Sequence, residues 1–121
     1  MEQTGPRLSV ASEDGVSVVQ LADKRILDER TIAEIGEQLY AMVGASDKPR
    51  MVLDFANVAH MSSSALGMLI TLHKRVREKE GDLRLCRIRP SIYEVFVITR
   101  LNEVFQIHEQ REQAVAEAAS A

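Results

Sequence analysis

The sequence predicts an α/β domain: a mixed sheet of four to five strands with helices mainly on one face. Three observations carry this. Strand-like apolar runs alternate with helical-period segments along most of the chain, which implies parallel strands joined by right-handed crossovers. An Asp14-Gly15 pair separates two strand-like runs near the front, the signature of an antiparallel hairpin. Met51–Phe55 is an almost unbroken apolar run, suited to a central strand covered on both faces.

Taken in order, Leu8 and Val10 alternate with polar neighbours, and Val16–Leu21 resumes the strand after the turn. Asp28 is placed to cap a helix carrying Ile32, Ile35, Leu39 and Met42/Val43 at helical spacing, with Gly44 as its C-cap. After the central strand, Ser62-Ser63-Ser64 opens a second helix. Its Leu66, Leu69, Ile70, His73 and Val76 form one stripe toward the sheet, and its basic end stops at Gly81. Cations there suit the negative end of the helix dipole, which marks a solvated helix end rather than a ligand site.

Leu83–Ile88 reads as a strand. Pro90–Glu94 reads as a capping box, Ser91 capping and Glu94 reaching back, ahead of a helix with Ile92, Val95, Phe96 and Thr99 on one face. Phe105–Ile107 is a last short strand. The order is β-β-α-β-α-β-α-β-α in a single domain over 1–121, with its core at about 8–108. The tail 109–121 is expected to be a marginal helix with a frayed end.

Composition narrows the function. The 121 residues are 45% apolar and 27% charged, a profile that can build a core without staples. Net charge is −3 with Lys and Arg dispersed, so no basic stripe exists to neutralise phosphates, and direct nucleic-acid binding is not expected. Met1–Pro6 has no basic-then-apolar leader pattern, and no apolar run approaches the ~20 residues of a membrane span. Cys86 is the only cysteine. A cytoplasmic location fits a chain without an internal disulfide.

The informative segment is Val52–Phe55, a short loop, then His60-Met61-Ser62-Ser63-Ser64-Ala65-Leu66-Gly67. Serines at a helix start satisfy free N–H groups, so capping alone accounts for them. The alternative is that one hydroxyl stands open at an electropositive helix end, able to accept and hold a phosphate.

Catalysis is not expected. The serines have His60 nearby and Asp54 upstream, but no G-x-S-x-G turn and no recognisable spacing to a further partner. His60, His73, His108 and Cys86 lack metal-ligand spacing, and no Gly-rich loop follows a strand, so no metal or cofactor is expected. His73 reads as a hydrogen-bonded core histidine, Asp54 as a cap or a bond to local backbone, and Cys86 as a small core hydrophobe.

From Leu8 to His108 the chain resembles the STAS domain, and within it the bacterial anti-sigma-factor antagonists. The residues that carry the resemblance are Leu53-Asp54-Phe55, His60–Arg75 and Thr99-Arg100-Leu101 to Phe105. Such antagonists read Asp-Ser-Ser/Thr-Gly-Leu-Gly at the helix start. Ser62 stands where they carry Asp, Ser63 at the phosphorylated serine, Ser64 at the second hydroxyl, Ala65 for Gly, and Leu66-Gly67 agree. Arg100 stands where Gly is usual.

The resemblance implies an anti-sigma factor with a serine-kinase fold as partner, and a phosphatase as a further one. It implies phosphorylation at Ser63, with Ser62 as the rival acceptor. The contact surface would include Ser62, Ser63 and Ser64, together with Met68 and Leu72. Those last two fall off the sheet-facing stripe and serve either as shoulder packing or as interface. The alternative is a STAS interaction module without phosphorylation, a scaffold or transporter-associated subunit. Replacement of the usual Asp by Ser62 favours that alternative more than an intact motif would.

Overall fold

The computed structural model describes residues 7–121, so Met1–Pro6 lies outside it. Strands β1 (Leu8–Glu13) and β2 (Val16–Leu21) form the expected hairpin, paired from Leu8↔Leu21 to Glu13↔Val16. Asp14 and Gly15 both take positive φ, 54° and 81°, as a two-residue primed turn requires. From β2 the sheet continues in parallel through β4 (Arg50–Asp54), β6 (Asp82–Cys86) and β7 (Gln106–His108), in the order β1-β2-β4-β6-β7. The Met51–Phe55 run therefore supplies the middle strand. A feature without sequence signal is a separate parallel pair, β3 (Arg25–Ile26) with β5 (His60–Met61).

Alternation along the strands sends side chains to two different cores. Val19, Leu21, Met51, Leu53, Leu83 and Leu85 meet helices α1 (Glu29–Gly44), α2 (Ser63–Glu78) and α3 (Pro90–Ile98) on one face. Val16, Val18, Val52 and Cys86 meet helix α4 (Arg111–Ser120) on the other. The tail expected to fray is thus a packed cover. Ala114, Val115 and Ala118 are buried, because small side chains let a helix lie close on a sheet. Its ends are fastened too. Arg50 donates to the carbonyls of Ala119 and Ala121 at 3.0 and 2.8 Å, and Arg111 reaches Glu13 at 2.5 Å.

Asp28 caps α1 as expected, its carboxylate accepting from Thr31 N–H at 3.2 Å. Two other helix ends differ. Gly44 is the last residue of α1, and Ala45 is the cap. After α2 the left-handed seat is taken by Glu80 (φ 56°), while Gly81 N–H donates to Val76 O at 2.9 Å. Lys79, in the basic run, donates to the carbonyls of Val43, Gly44 and Ser46, so it closes the end of α1.

Helix α3 ends at Thr99, whose hydroxyl donates to Val95 O at 2.7 Å. Arg100 follows with φ 63° and ψ 16°, the left-handed conformation that the usual glycine would enter without a Cβ penalty. Arg100→Gly is therefore expected to stabilise the fold by about 1 kcal/mol, raising Tm by roughly 4 °C in a thermal melt. A lower Tm would mean that the Arg100 side chain contributes more than its backbone strain costs.

Candidate functional site

The loop from β4 into α2 is pinned along its whole length. Asp54 Oδ1 accepts from Ala56 N–H at 3.0 Å, and Phe55 and Val58 are fully buried. Ala59 and His60 donate to Lys24 O at 2.8 and 3.1 Å, and Ser62 N–H donates to Ile26 O at 3.1 Å. The β3–β5 pair is thus the anchor that fixes where α2 begins.

Ser62 is the N-cap of α2. Its backbone is extended (φ −94°, ψ 169°), and its Oγ accepts from Ala65 N–H at 3.3 Å. Ser63 and Ser64 occupy the next two positions, and both are exposed. No acidic residue stands in the first turn, so the positive end of the dipole is not offset there.

Ser62 and Ser63 border a cleft of about 390 Å³ between the start of α2 and the side of α3. Buried Leu66 and Ile92, exposed Leu27 and Val95, and the hydroxyl-bearing Ser91 and Thr99 line it. Ser91 does not cap α3. Pro90 holds the first helical position, Arg89 is the N-cap without a side-chain bond, and Tyr93 N–H donates to Arg89 O at 2.8 Å. A proline's fixed φ and missing N–H favour that first position, which moves the helix start one residue ahead of the serine.

Met68 and Leu72, expected as candidate contact residues, are buried at 7% and 0% exposure. The reason is that α2 packs against α1 as well as the sheet, so its buried arc is wider than one stripe. Met68 lies against Gly36, and Tyr40 of α1 donates its hydroxyl to Met68 O at 3.2 Å. The Arg75 guanidinium covers the Tyr40 ring at 4.3 Å. Neither Met68 nor Leu72 has surface to offer in the free domain.

His73 is only part-buried. It meets Phe105 edge-on at 5.3 Å, and burial together with the Arg77 charge lowers its pKa. Among the described residues no side chain or carbonyl hydrogen-bonds its ring, and Phe105 packs on it instead.

Asp54 does bond local backbone, but its larger role was not visible in the sequence. Fully buried, it accepts from Arg87 Nε at 3.0 Å and Arg87 Nη2 at 2.5 Å, with Arg111 Nη1 at 3.6 Å. The hydrogen bond to Asp54 raises the Arg87 pKa. Cys86 is buried, and desolvation plus the Asp54 charge push its thiol up to about 12, so it behaves as a small hydrophobe. Leu27, Ser91 and Thr99 also went unrecognised as cleft residues. The one signal was Leu27 directly ahead of the Asp28 cap, where an apolar residue often staples a helix start.

The sequence matches the profile of the STAS domain over residues 7–114. BtrV of Bordetella bronchiseptica, a protein named as an anti-sigma factor antagonist, is 27% identical over 110 residues, covering 91% of this chain and 92% of its own. The fold is similar to that of a STAS domain protein from Planctomyces limnophilus, with TM-score 0.84 and 23% identity over 94% of this chain and 98% of that one. It is also similar to SpoIIAA of Bacillus in its phosphorylated form, with TM-score 0.68 and 14% identity over 91% and 97%. A profile match over most of its length, on a five-stranded sheet of this topology, places the chain in the STAS domain family.

Proposed function

We propose that this chain is an anti-sigma-factor antagonist. It binds a cytoplasmic anti-sigma factor of serine-kinase fold through the Ser63 end of α2, and phosphorylation of Ser63 releases it. The observation that carries this reading is the division of labour at the helix start. Ser62 is half-buried and caps Ala65 N–H, whereas Ser63 is exposed and, unlike the equally exposed Ser64, borders the cleft. The names of the related proteins, and the phosphorylated state of SpoIIAA, support it.

In the transfer, Ser63 Oγ would attack the γ-phosphorus of ATP held by the partner. The bond to the ADP oxygen breaks, and the serine proton passes to a base on the partner. A phosphatase would hydrolyse the ester and reset the domain. In the free domain the phosphate sits at a helix N-terminus, which tolerates negative charge. In the complex, a surface fitted to a neutral hydroxyl must desolvate or repel about two charges.

The test is titration of the domain against the purified kinase-fold anti-sigma factors of its own organism, with mass spectrometry after incubation with ATP. Ser63→Glu should fold normally and bind at least about tenfold more weakly, while Ser63→Ala should bind and resist release. Phosphate mapped to Ser62 would move the switch by one residue. No phosphate on any serine, with Ser63→Glu binding unchanged, would favour the phosphorylation-independent interaction module. The Ser62 replacement of a family Asp, which leaves the first turn without a carboxylate, is the observation on that side.

A further inference from the structure

Asp54 closes β4 and opens the loop that ends at Ser62. Among the described residues it is the one charged side chain that is buried. Its two oxygens join three elements. Oδ1 accepts from Ala56 N–H in the loop and from Arg87 Nε, between β6 and α3, each at 3.0 Å. Oδ2 accepts from Arg87 Nη2 at 2.5 Å and faces Nη1 of Arg111, the first residue of α4, at 3.6 Å. The loop's Phe55 and Val58 belong to the core under α1–α3, whereas α4 covers the other face of the sheet. One carboxylate thus links the serine loop to a helix on the far side of the sheet.

Stability alone is a poor reason for such a group, because well-packed apolar residues often serve a core as well as a buried ion pair does. The cations around it differ in grip. Arg87 gives it both arms, while Arg111 is shared, its Nη2 donating to Glu13 at 2.5 Å. Glu112 is the other carboxylate whose charge reaches Arg87. Helix α4 itself buries only Ala114, Val115 and Ala118, small side chains that remove little apolar surface from water. Polar ties at its two ends supply much of the rest of its hold, and an element of this kind opens more readily than the whole fold. Opening withdraws Arg111, and Asp54 then shifts toward Arg87 and away from Ala56 N–H.

We propose that Asp54 is a positioning residue for the serine switch, and that docking of α4 through Arg111 sets how firmly it holds the loop. The coupling is a property of the free domain, and only its consequence for binding rests on the reading of Ser63 as the switch. That consequence follows from linkage. If docked α4 favours the loop form that the anti-sigma factor takes, the bound anti-sigma factor must favour docked α4 by the same factor. Cys86 reports the opening, because it is buried beneath α4 and its thiol stays protonated there.

The experiment has two arms, both on the full chain. The first measures amide hydrogen exchange for Arg111→Gln, Glu13→Gln, Asp54→Asn and the Asp54→Asn/Arg111→Gln pair. Arg111→Gln should speed exchange at Ala56, His60 and Ser62 at least about threefold while leaving α1 unchanged. Glu13→Gln leaves Arg111 to Asp54 alone and should not speed the loop. In the Asp54→Asn background, Arg111→Gln should add nothing at the loop. The second arm follows alkylation of Cys86 by N-ethylmaleimide with and without the purified kinase-fold anti-sigma factor. Binding should slow alkylation several-fold in the unmodified domain and much less in Arg111→Gln.

Faster exchange confined to α4 in Arg111→Gln would mean that Arg111 only fastens its own helix, and would overturn the proposal. So would an equal loop effect in Glu13→Gln, or one that persists without the Asp54 charge. If Asp54→Asn does not fold, the contrast between Arg111→Gln and Glu13→Gln decides. Slowing of Cys86 that is the same in Arg111→Gln would mean that the anti-sigma factor simply covers α4, and would overturn the link to binding. A loop that responds as expected in a domain that binds no anti-sigma factor upholds the role of Asp54 and counts against the proposed function alone.

Discussion

Replacing Asp54 by alanine should cost about 3 kcal/mol of stability and lower Tm by roughly 10 °C. The carboxylate is fully buried and receives both arms of the Arg87 guanidinium, with Arg111 nearby and Ala56 N–H as a further donor. Removing one partner of a buried pair leaves the other charge uncompensated, which is worse than never having made the pair. The expected loss lies at the low end of the usual range because Arg87 is 41% exposed and regains water. Asp54→Asn keeps an acceptor for Ala56 N–H and should lose less. Urea denaturation of both variants checks this, and a loss under 1 kcal/mol for Asp54→Ala would show that water already screens the network.

Gly81→Ala should be comparably damaging for a steric reason. A Cβ there would lie 2.2 Å from the carbonyl oxygen of Pro49, a backbone atom that cannot swing aside, and 2.9 Å from its Cγ. The same oxygen accepts from Asp82 N–H at 2.8 Å, where β6 first lies beside β4. Relief of the clash must therefore pull the two central strands apart at their entry, at about 2–4 kcal/mol. Gly67→Ala is the natural control. It lies inside α2 with nothing near its missing Cβ, and should gain up to ~1 kcal/mol from helix propensity. Denaturation midpoints moving in opposite directions are the expected result.

What could be read in the sequence was whatever local chemistry decides. Asp14-Gly15 supplied its own turn, Asp28 and Ser62 their own caps, and the β-α alternation its parallel sheet. What tertiary packing decides is not legible there. Met68 and Leu72 lie off the sheet-facing stripe, and only the presence of α1 beside α2 explains why they are covered. Ser91 and Glu94 have capping-box spacing, yet Pro90 outranks them by fixing the helix start. The β3–β5 pair is too short to show a period, although it sets the position of the candidate serine. Asp54 and Arg87 are 33 residues apart, and no spacing rule joins them.

The cover helix α4 has a consequence for biogenesis. Residues 111–120 follow every strand in the chain, so a ribosome finishes the whole sheet before it makes the element that shields Val16, Val18, Val52 and Cys86. A chain lacking α4 would present a bare aliphatic sheet surface, the kind of species that aggregates. Translation stalls or proteolytic nicks near Gln110 would prolong that exposure, and the cost would appear as lost yield.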